Sequence, residues 1–139
     1  MKTKLTVLGI CLFVVSFFLP AYDVLKGWEC ANFCVWDVFG IWNDDIESTV
    51  VIFYYFSFTF SNILMLMIPL LLLKRYQNRA IPKAIITTQV ILLLHVISWF
   101  FQNAYDSTLG DLRAGYYVWL LSMIVILCAS LLSRKKQPA

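Results

Sequence analysis

Charged residues are scarce in this sequence. They make up 14% of its 139 residues, whereas a soluble domain usually carries about 25%. Hydrophobic residues account for 61%, aromatic residues for 17%, and the mean hydropathy is +0.79. This composition is too apolar for a soluble domain, and it predicts an integral membrane protein.

Acidic residues are absent from the four long apolar runs of the chain. Small four-helix exporters that couple transport to protons use a glutamate within the membrane, so the sequence argues against that class. It also lacks a Gly-rich phosphate loop, a nucleophile elbow, a metal-binding helix motif and a closely spaced CxxC pair. We therefore expect no enzymatic activity, no cofactor and no bound metal.

The apolar runs cover residues 5–22, 49–73, 84–101 and 114–132. Each has about the 20 residues that a helix needs to cross a hydrocarbon core of about 30 Å. The sequence predicts an all-α integral membrane protein, a four-helix bundle that forms a single domain over 1–139 with an outer loop at 23–48. A cleaved signal peptide is the alternative for the first run, but Leu19 and Pro20 make a poor cleavage site.

Charge orients the predicted bundle. If the four helices alternate in direction, nine of the eleven basic residues fall on one side of the membrane and all eight acidic residues on the other. Cytoplasmic segments of membrane proteins collect Lys and Arg. Both termini are therefore expected in the cytoplasm, with the loop 23–48 on the outer face of a bacterial inner (plasma) membrane. The basic residues indicate this orientation in the lipid bilayer, not nucleic-acid binding.

The outer loop contains the stretch GWECANFCVWDVFGIW, residues 27–42. Disulfides persist outside the cytoplasm, so Cys30 and Cys34 form a candidate disulfide. Residues four apart on a regular helix have Cβ atoms about 5 to 6 Å apart, whereas a disulfide needs about 3.8 Å. We therefore expect a turn at 30–34, and a continuous helix there would instead favour free thiols.

Beyond Cys34, apolar residues recur with the spacing of one helical face. This pattern predicts a short helix that lies in the outer membrane interface as an aromatic lid. The predicted lid residues are Trp28, Val35, Trp36, Val38, Phe39 and Trp42.

Polar side chains inside the apolar runs are further candidate site residues, because polar groups are costly within a bilayer. They are Asn62, Thr88, Gln89 and His95. A helical period places Thr88 and His95 on one face of their run, which we expect to point into the bundle. A single histidine among apolar neighbours is typical of a hydrogen-bonded packing residue, so we predict no metal site there.

Small residues recur every seven positions in the first and last runs and predict where these two helices touch. They are Gly9, Ser16, Gly115, Ser122 and Ala129. Because the two helices are expected to run antiparallel, Gly9 lies at a similar depth to Ala129, and Ser16 lies at a similar depth to Ser122. We expect each pair to be in contact.

Two short motifs stand at the end of the first run and in the loop after it, FLPAY at 18–22 and GWECA at 27–31. They resemble the Leu-Pro end of helix one and the following Gly-Trp in small uncharacterised bacterial four-helix inner-membrane proteins. The resemblance is confined to the N-terminal part of the chain. It implies the same topology and a bacterial origin, and it transfers no catalytic residue.

The leading functional hypothesis is a non-enzymatic membrane protein that binds a membrane-protein partner, a lipid or another copy of itself through the outer lid. One alternative is a membrane thiol-disulfide oxidoreductase that uses Cys30 and Cys34. Cys11 and Cys128 lie near the cytoplasmic ends of their predicted helices. By helical rise they are roughly 20 Å or more from Cys30 and Cys34, which is too far for direct thiol-disulfide exchange. The other alternative is an oligomeric pore or transporter, although the sequence has no filter-like motif.

Overall fold

The computed structural model describes residues 2–39, 49–72, 83–106 and 109–134, and most of them are helical. In chain order the elements are α1 (Lys2–Phe18), β1 (Pro20–Tyr22), β2 (Leu25–Lys26), α2 (Gly27–Phe39), α3 (Thr49–Leu70), α4 (Lys83–Tyr105), a 3-10 turn (Leu109–Asp111) and α5 (Ala114–Arg134). Residue 73, the end of the second predicted run, and Trp42 of the predicted lid lie outside the described residues.

Within the described ranges, three helices are long and apolar enough to span a membrane. The spans are Phe53–Leu70 in α3, Lys83–Tyr105 in α4 and Ala114–Ser133 in α5. The first helix, α1, is also apolar but has 17 residues and is shorter than these spans. The membrane class predicted from the composition therefore agrees with the lengths of three of the four predicted helices.

The first helix ends at Phe18, four residues before its predicted end at Tyr22. Proline lacks a backbone N–H and disfavours the helical conformation of the residue before it, so Pro20 stops the helix. The chain forms an antiparallel hairpin instead, in which Tyr22 pairs with Leu25. Asp23 in the hairpin turn has a φ of 48°, in the left-handed region that Asp adopts more often than most residues. The described residues are mostly helical as predicted, and this small two-stranded sheet is an addition that the prediction lacked.

The hairpin is fastened to the segment that precedes α5. The backbone N–H of Asp23 donates to the carbonyl oxygen of Asp111 at 2.6 Å, and that of Arg113 donates to the carbonyl oxygen of Ala21 at 3.1 Å. These bonds hold the end of α1 beside the start of α5. They therefore set the register in which the two helices pack along the rest of their length.

Helix α1 packs most extensively against α5, so the contact expected between the first and last helices is present. The register differs from the predicted one. Gly9 lies against Ile126, three residues before Ala129, and a Cβ atom at Gly9 would lie 2.5 Å from Ile126 Cδ1. Gly115 lies against the carbonyl groups of Leu19 and Pro20. The predicted pairing is thus displaced by nearly one helical turn, because the hairpin bonds bring the helix ends together.

The second predicted pair is Ser16 and Ser122. Ser16 and Ser122 are both buried, but neither makes its side-chain hydrogen bond to the other. The Ser16 hydroxyl donates to the carbonyl oxygen of Phe13 at 2.6 Å, and the Ser122 hydroxyl donates to that of Trp119 at 2.6 Å. Each serine therefore satisfies its hydroxyl within its own helix, which lets it lie at a helix contact without a cross-helix partner.

The main apolar core lies away from the hairpin. It brings together Phe13 of α1, Met65 and Ile68 of α3, Ile86 of α4 and Ile126 of α5, all 7% exposed or less. These four helices thus close around one core at that end. At the hairpin end a second, smaller buried cluster of Val96, Leu112 and Tyr116 joins α4 to α5, and α2 lies beside the helices there.

Candidate functional site: a cavity beside helix α2

A cavity of about 590 Å³ lies at the hairpin end of the helices and is partly open to the outside. We call it the α2 cavity. Its lining residues come from α1, the hairpin, α2, α3, α4 and α5, and are mostly apolar or aromatic. They are Ser16, Phe17, Ala21, Tyr22, Leu25, Gly27, Cys30, Ala31, Phe33, Cys34, Tyr55, Phe58, Asn62, Trp99, Leu112, Gly115, Tyr116 and Trp119.

Helix α2 begins directly after the hairpin because Gly27 allows a close approach to α1. A Cβ atom at Gly27 would collide with the backbone carbonyl oxygen of Ser16. The Gly27 N–H donates to the carbonyl oxygen of Leu19 at 3.0 Å. Next to it, the Lys26 N–H donates to the Glu29 carboxylate at 2.7 Å, which satisfies a donor at the helix start. From the sequence, Gly27 was recognised only as part of a short motif, and this packing role was not predicted.

The two outer cysteines lie on one continuous helix, so the turn predicted at 30–34 is absent and that prediction is wrong. All four cysteines fall in the described ranges, and none of them forms a disulfide. Cys30 and Cys34 are successive on the face of α2 that lines the cavity. A regular helix keeps their Cβ atoms too far apart for an unstrained bond, which is the physical reason that the candidate disulfide is not formed.

Burial raises the pKa of the Cys30 thiol above its ordinary value, and the nearby Glu29 carboxylate raises it further. Backbone hydrogen bonds at Tyr22 and at Cys30 itself oppose this shift to a smaller extent. The thiolate is the nucleophilic form of cysteine. At neutral pH Cys30 is therefore a protonated, weakly reactive thiol on the wall of an apolar cavity.

The deep end of the α2 cavity is marked by a hydrogen bond between two helices. The indole N–H of Trp119 on α5 donates to Asn62 Oδ1 on α3 at 2.9 Å. On α3, the lining residues Tyr55, Phe58 and Asn62 lie on one face of the helix. From Tyr55 to Asn62 this face extends about 10 Å along the helix, away from the hairpin end. Aromatic rings surround the Asn62–Trp119 pair, with the Phe58 and Trp119 centroids 5.7 Å apart.

The other predicted polar residues do not join Asn62 in the cavity. Gln89 is buried with its Oε1 unpaired, and it lines a separate void of about 10 Å³ with Ser61. The ring of His95 stacks on Tyr54 at 4.5 Å, and its Nε2 is buried without a hydrogen bond. Thr88 is half-buried elsewhere on α4. The structure thus separates the residues that the sequence analysis grouped as intramembrane polar candidates.

The predicted lid residues lie on a different side of α2 from the cavity wall. Trp28, Val35 and Trp36 are exposed, with 49%, 37% and 68% of their surface accessible. Val38 and Phe39 belong to α2, but their side chains lie outside the described part of the chain. The cavity face of α2 consists mainly of small residues at the helical spacing i, i+3, i+4 and i+7. This spacing is visible in the sequence but was not used in the prediction. These residues are Gly27, Cys30, Ala31 and Cys34.

Three carboxylates act on the Tyr22 side chain at the rim of the cavity. Partial burial raises the pKa of the Tyr22 phenol, and the carboxylates of Asp111, Asp23 and Asp106 raise it further. Within the described part of the chain, no Lys or Arg lines the α2 cavity. In the same ranges, no cluster of three or more His, Cys, Asp or Glu could hold a metal ion. The site offers a ligand apolar surface, aromatic rings and a few neutral polar groups.

Comparisons with protein-family models, with curated proteins and with solved structures found no match to this chain.

Proposed function

We propose that this protein is a membrane-embedded binding protein that holds an apolar molecule of the bilayer in the α2 cavity. The observation that carries the proposal is the cavity itself. Its volume of about 590 Å³ falls within the range of about 300 to 1,000 Å³ found for small-molecule sites, which are also mostly apolar and aromatic. The proposal commits to the lipid among the three classes of partner that the sequence left open.

The proposed topology is a four-helix bundle with both termini in the cytoplasm of a bacterium. In it, α1 is the fourth span, since its 17 residues make about 25 Å of helix and lie at the short end of the range for spanning segments. The separation of basic from acidic residues and the resemblance to small bacterial inner-membrane proteins support this arrangement. It puts the hairpin, α2 and the mouth of the cavity on the outer side.

A thiol-disulfide oxidoreductase is the second candidate, and one observation favours it. Cys30 and Cys34 both line the α2 cavity, where a bound molecule would meet them. The raised pKa of Cys30 and the continuous helix through both cysteines oppose such an activity. A substrate trapped as a mixed disulfide with Cys30 in the Cys34→Ser variant would favour the enzyme over the binding protein.

The proposed binding function is tested by filling the cavity from α2. Ala31 lines the cavity, whereas its neighbour Asn32 is exposed. We expect Ala31→Trp to lose the lipid that co-purifies with the wild-type protein, as measured by native mass spectrometry after gentle detergent extraction. The matched control, Asn32→Trp, adds the same side chain to the exposed side of the helix and should retain the lipid. Equal lipid retention by both variants would contradict the proposal.

A further inference from the structure

We infer that the ligand of the α2 cavity is an uncharged lipid with a carbonyl group, and that the Asn62 side-chain amide donates a hydrogen bond to that carbonyl. This inference rests on the proposed binding function and adds the chemical class of the ligand. It follows from the charges around the cavity and from the polar groups of the cavity wall, some of which already form hydrogen bonds within the protein.

Charge excludes an anionic head group from the cavity. No cationic side chain among the described residues lines it, and burying an unpaired carboxylate or phosphate among aromatic rings is costly. A fatty-acid anion is therefore disfavoured once it is bound in the cavity.

Three polar groups of the cavity wall already have protein partners. The Ser16 hydroxyl donates to the Phe13 carbonyl oxygen at 2.6 Å, and the Tyr116 hydroxyl donates to the Val96 carbonyl oxygen at 2.8 Å. The indole N–H of Trp119 donates to Asn62 Oδ1. A ligand would have to break a bond inside the protein to use any of these donors.

The Asn62 amide keeps donors for a ligand. An indole N–H can only donate, so the atom of Asn62 that accepts from Trp119 must be the amide oxygen. This bond fixes the orientation of the amide and leaves the two N–H groups of Nδ2. Asn62 lines the deep end of the cavity, so a ligand that enters head first would meet these donors with its acceptor.

A carbonyl group supplies this acceptor at the lowest cost of burying polar groups without partners. It accepts hydrogen bonds, carries no charge and brings no donor that would need a partner among the surrounding rings. The cavity is partly open, which leaves room for an apolar tail to extend out of it. An uncharged carbonyl head beside Asn62 with its tail directed outward satisfies all of these features.

The inference is tested with three probes of equal chain length, an n-alkane, a methyl ketone and a fatty acid, titrated calorimetrically at pH 8 into the full-length protein in nanodiscs. We expect the ketone to bind about two- to tenfold more tightly than the alkane, the gain typical of one neutral hydrogen bond. The fatty acid should bind more weakly than the ketone. In the Asn62→Leu variant, the alkane and the ketone should bind equally.

The carbonyl stretching frequency of a ¹³C-labelled ketone reports the hydrogen bond directly and does not depend on whether Asn62→Leu folds. We expect a lower frequency for the ketone bound to wild-type protein than for the ketone in the lipid alone. An unshifted frequency, an equal preference for ketone and alkane in wild type, or tightest binding of the fatty acid would overturn the inference. If none of the probes binds, or if Ala31→Trp binds all of them as wild type does, the proposed binding function also fails.

Discussion

At the scale of single residues, the close approach of α5 to the segment that follows α1 depends on Gly115. A Cβ atom there would lie 2.7 Å from the carbonyl oxygens of both Leu19 and Pro20. Because backbone atoms cannot move aside as a flexible side chain can, Gly115→Ala should lower the free energy of unfolding by about 1 to 3 kcal/mol. Denaturant titration of the purified protein in detergent measures this change.

Gly110 provides the matched control for that substitution. It has open space around its Cα, with nothing within 4 Å of an added Cβ atom. Gly110→Ala should therefore leave the free energy of unfolding within about 0.5 kcal/mol of the wild-type value. Equal losses of stability in the two variants would show that the contact at Gly115 does not set the cost.

The reactivity of Cys30 provides a prediction about pH. Burial raises the pKa of this thiol, so less of it is thiolate at neutral pH than for an exposed cysteine. In a variant whose only cysteine is Cys30, maleimide labelling should be slow at pH 7.5. The rate should keep rising with pH beyond the point at which an ordinary thiol levels off.

The control for this labelling is a variant whose only cysteine is introduced by Asn32→Cys, on the exposed side of the same helix. That thiol should label faster than Cys30 at pH 7.5 and reach its maximum rate at lower pH. If Cys30 labels as fast as the control, Cys30 is either accessible or ionised at neutral pH. The low reactivity of the Cys30 thiol, which argues against the oxidoreductase function, would then be contradicted.

At the scale of elements, the packing register of α1 against α5 is testable by disulfide cross-linking. In a background without native cysteines, the pair Gly9→Cys and Ile126→Cys should cross-link on mild oxidation, because Gly9 lies directly against Ile126. The pair Gly9→Cys and Ala129→Cys should cross-link several-fold more slowly. A non-reducing gel reports both yields, and faster cross-linking of the second pair would restore the register predicted from the small-residue stripes.

Long apolar elements were predictable from the sequence, and short elements held by distant contacts were not. The runs at 49–73, 84–101 and 114–132 place α3, α4 and α5 correctly, because length and hydropathy alone decide such segments. The hairpin was missed because it depends on backbone bonds from Asp23 and Ala21 to the segment before α5. Such a contact spans about ninety residues of sequence and leaves no local periodic signal.

The candidate site was likewise predictable from the sequence only in part. Asn62 was selected because a polar group in an apolar run is costly, and it lies at the deep end of the cavity. The lid residues were selected for their aromatic character, but the cavity face of α2 consists largely of small residues such as Gly27 and Ala31. Small residues mark close approach only when the neighbouring element is known, so their role became visible with the packing of α1, α2 and α3.

At the scale of the whole molecule, the core and the cavity divide the helices into two ends. Away from the hairpin, α1, α3, α4 and α5 pack around a shared apolar core. At the hairpin end, α2 lies beside α1 and α3, and the α2 cavity occupies the space between them. The proposed binding function places the ligand at the end that holds the α2 cavity.

Photo-cross-linking with a diazirine-bearing methyl ketone in nanodiscs tests this account most directly, with the labelled residues mapped by mass spectrometry. The account predicts labelling concentrated on the cavity faces of α2, α3 and α5, in the peptides that contain Ala31, Asn62 and Trp119. That labelling should disappear in Ala31→Trp and persist in Asn32→Trp. Labelling spread evenly over the exposed apolar surfaces of α4 and α5, and unchanged by Ala31→Trp, would contradict it.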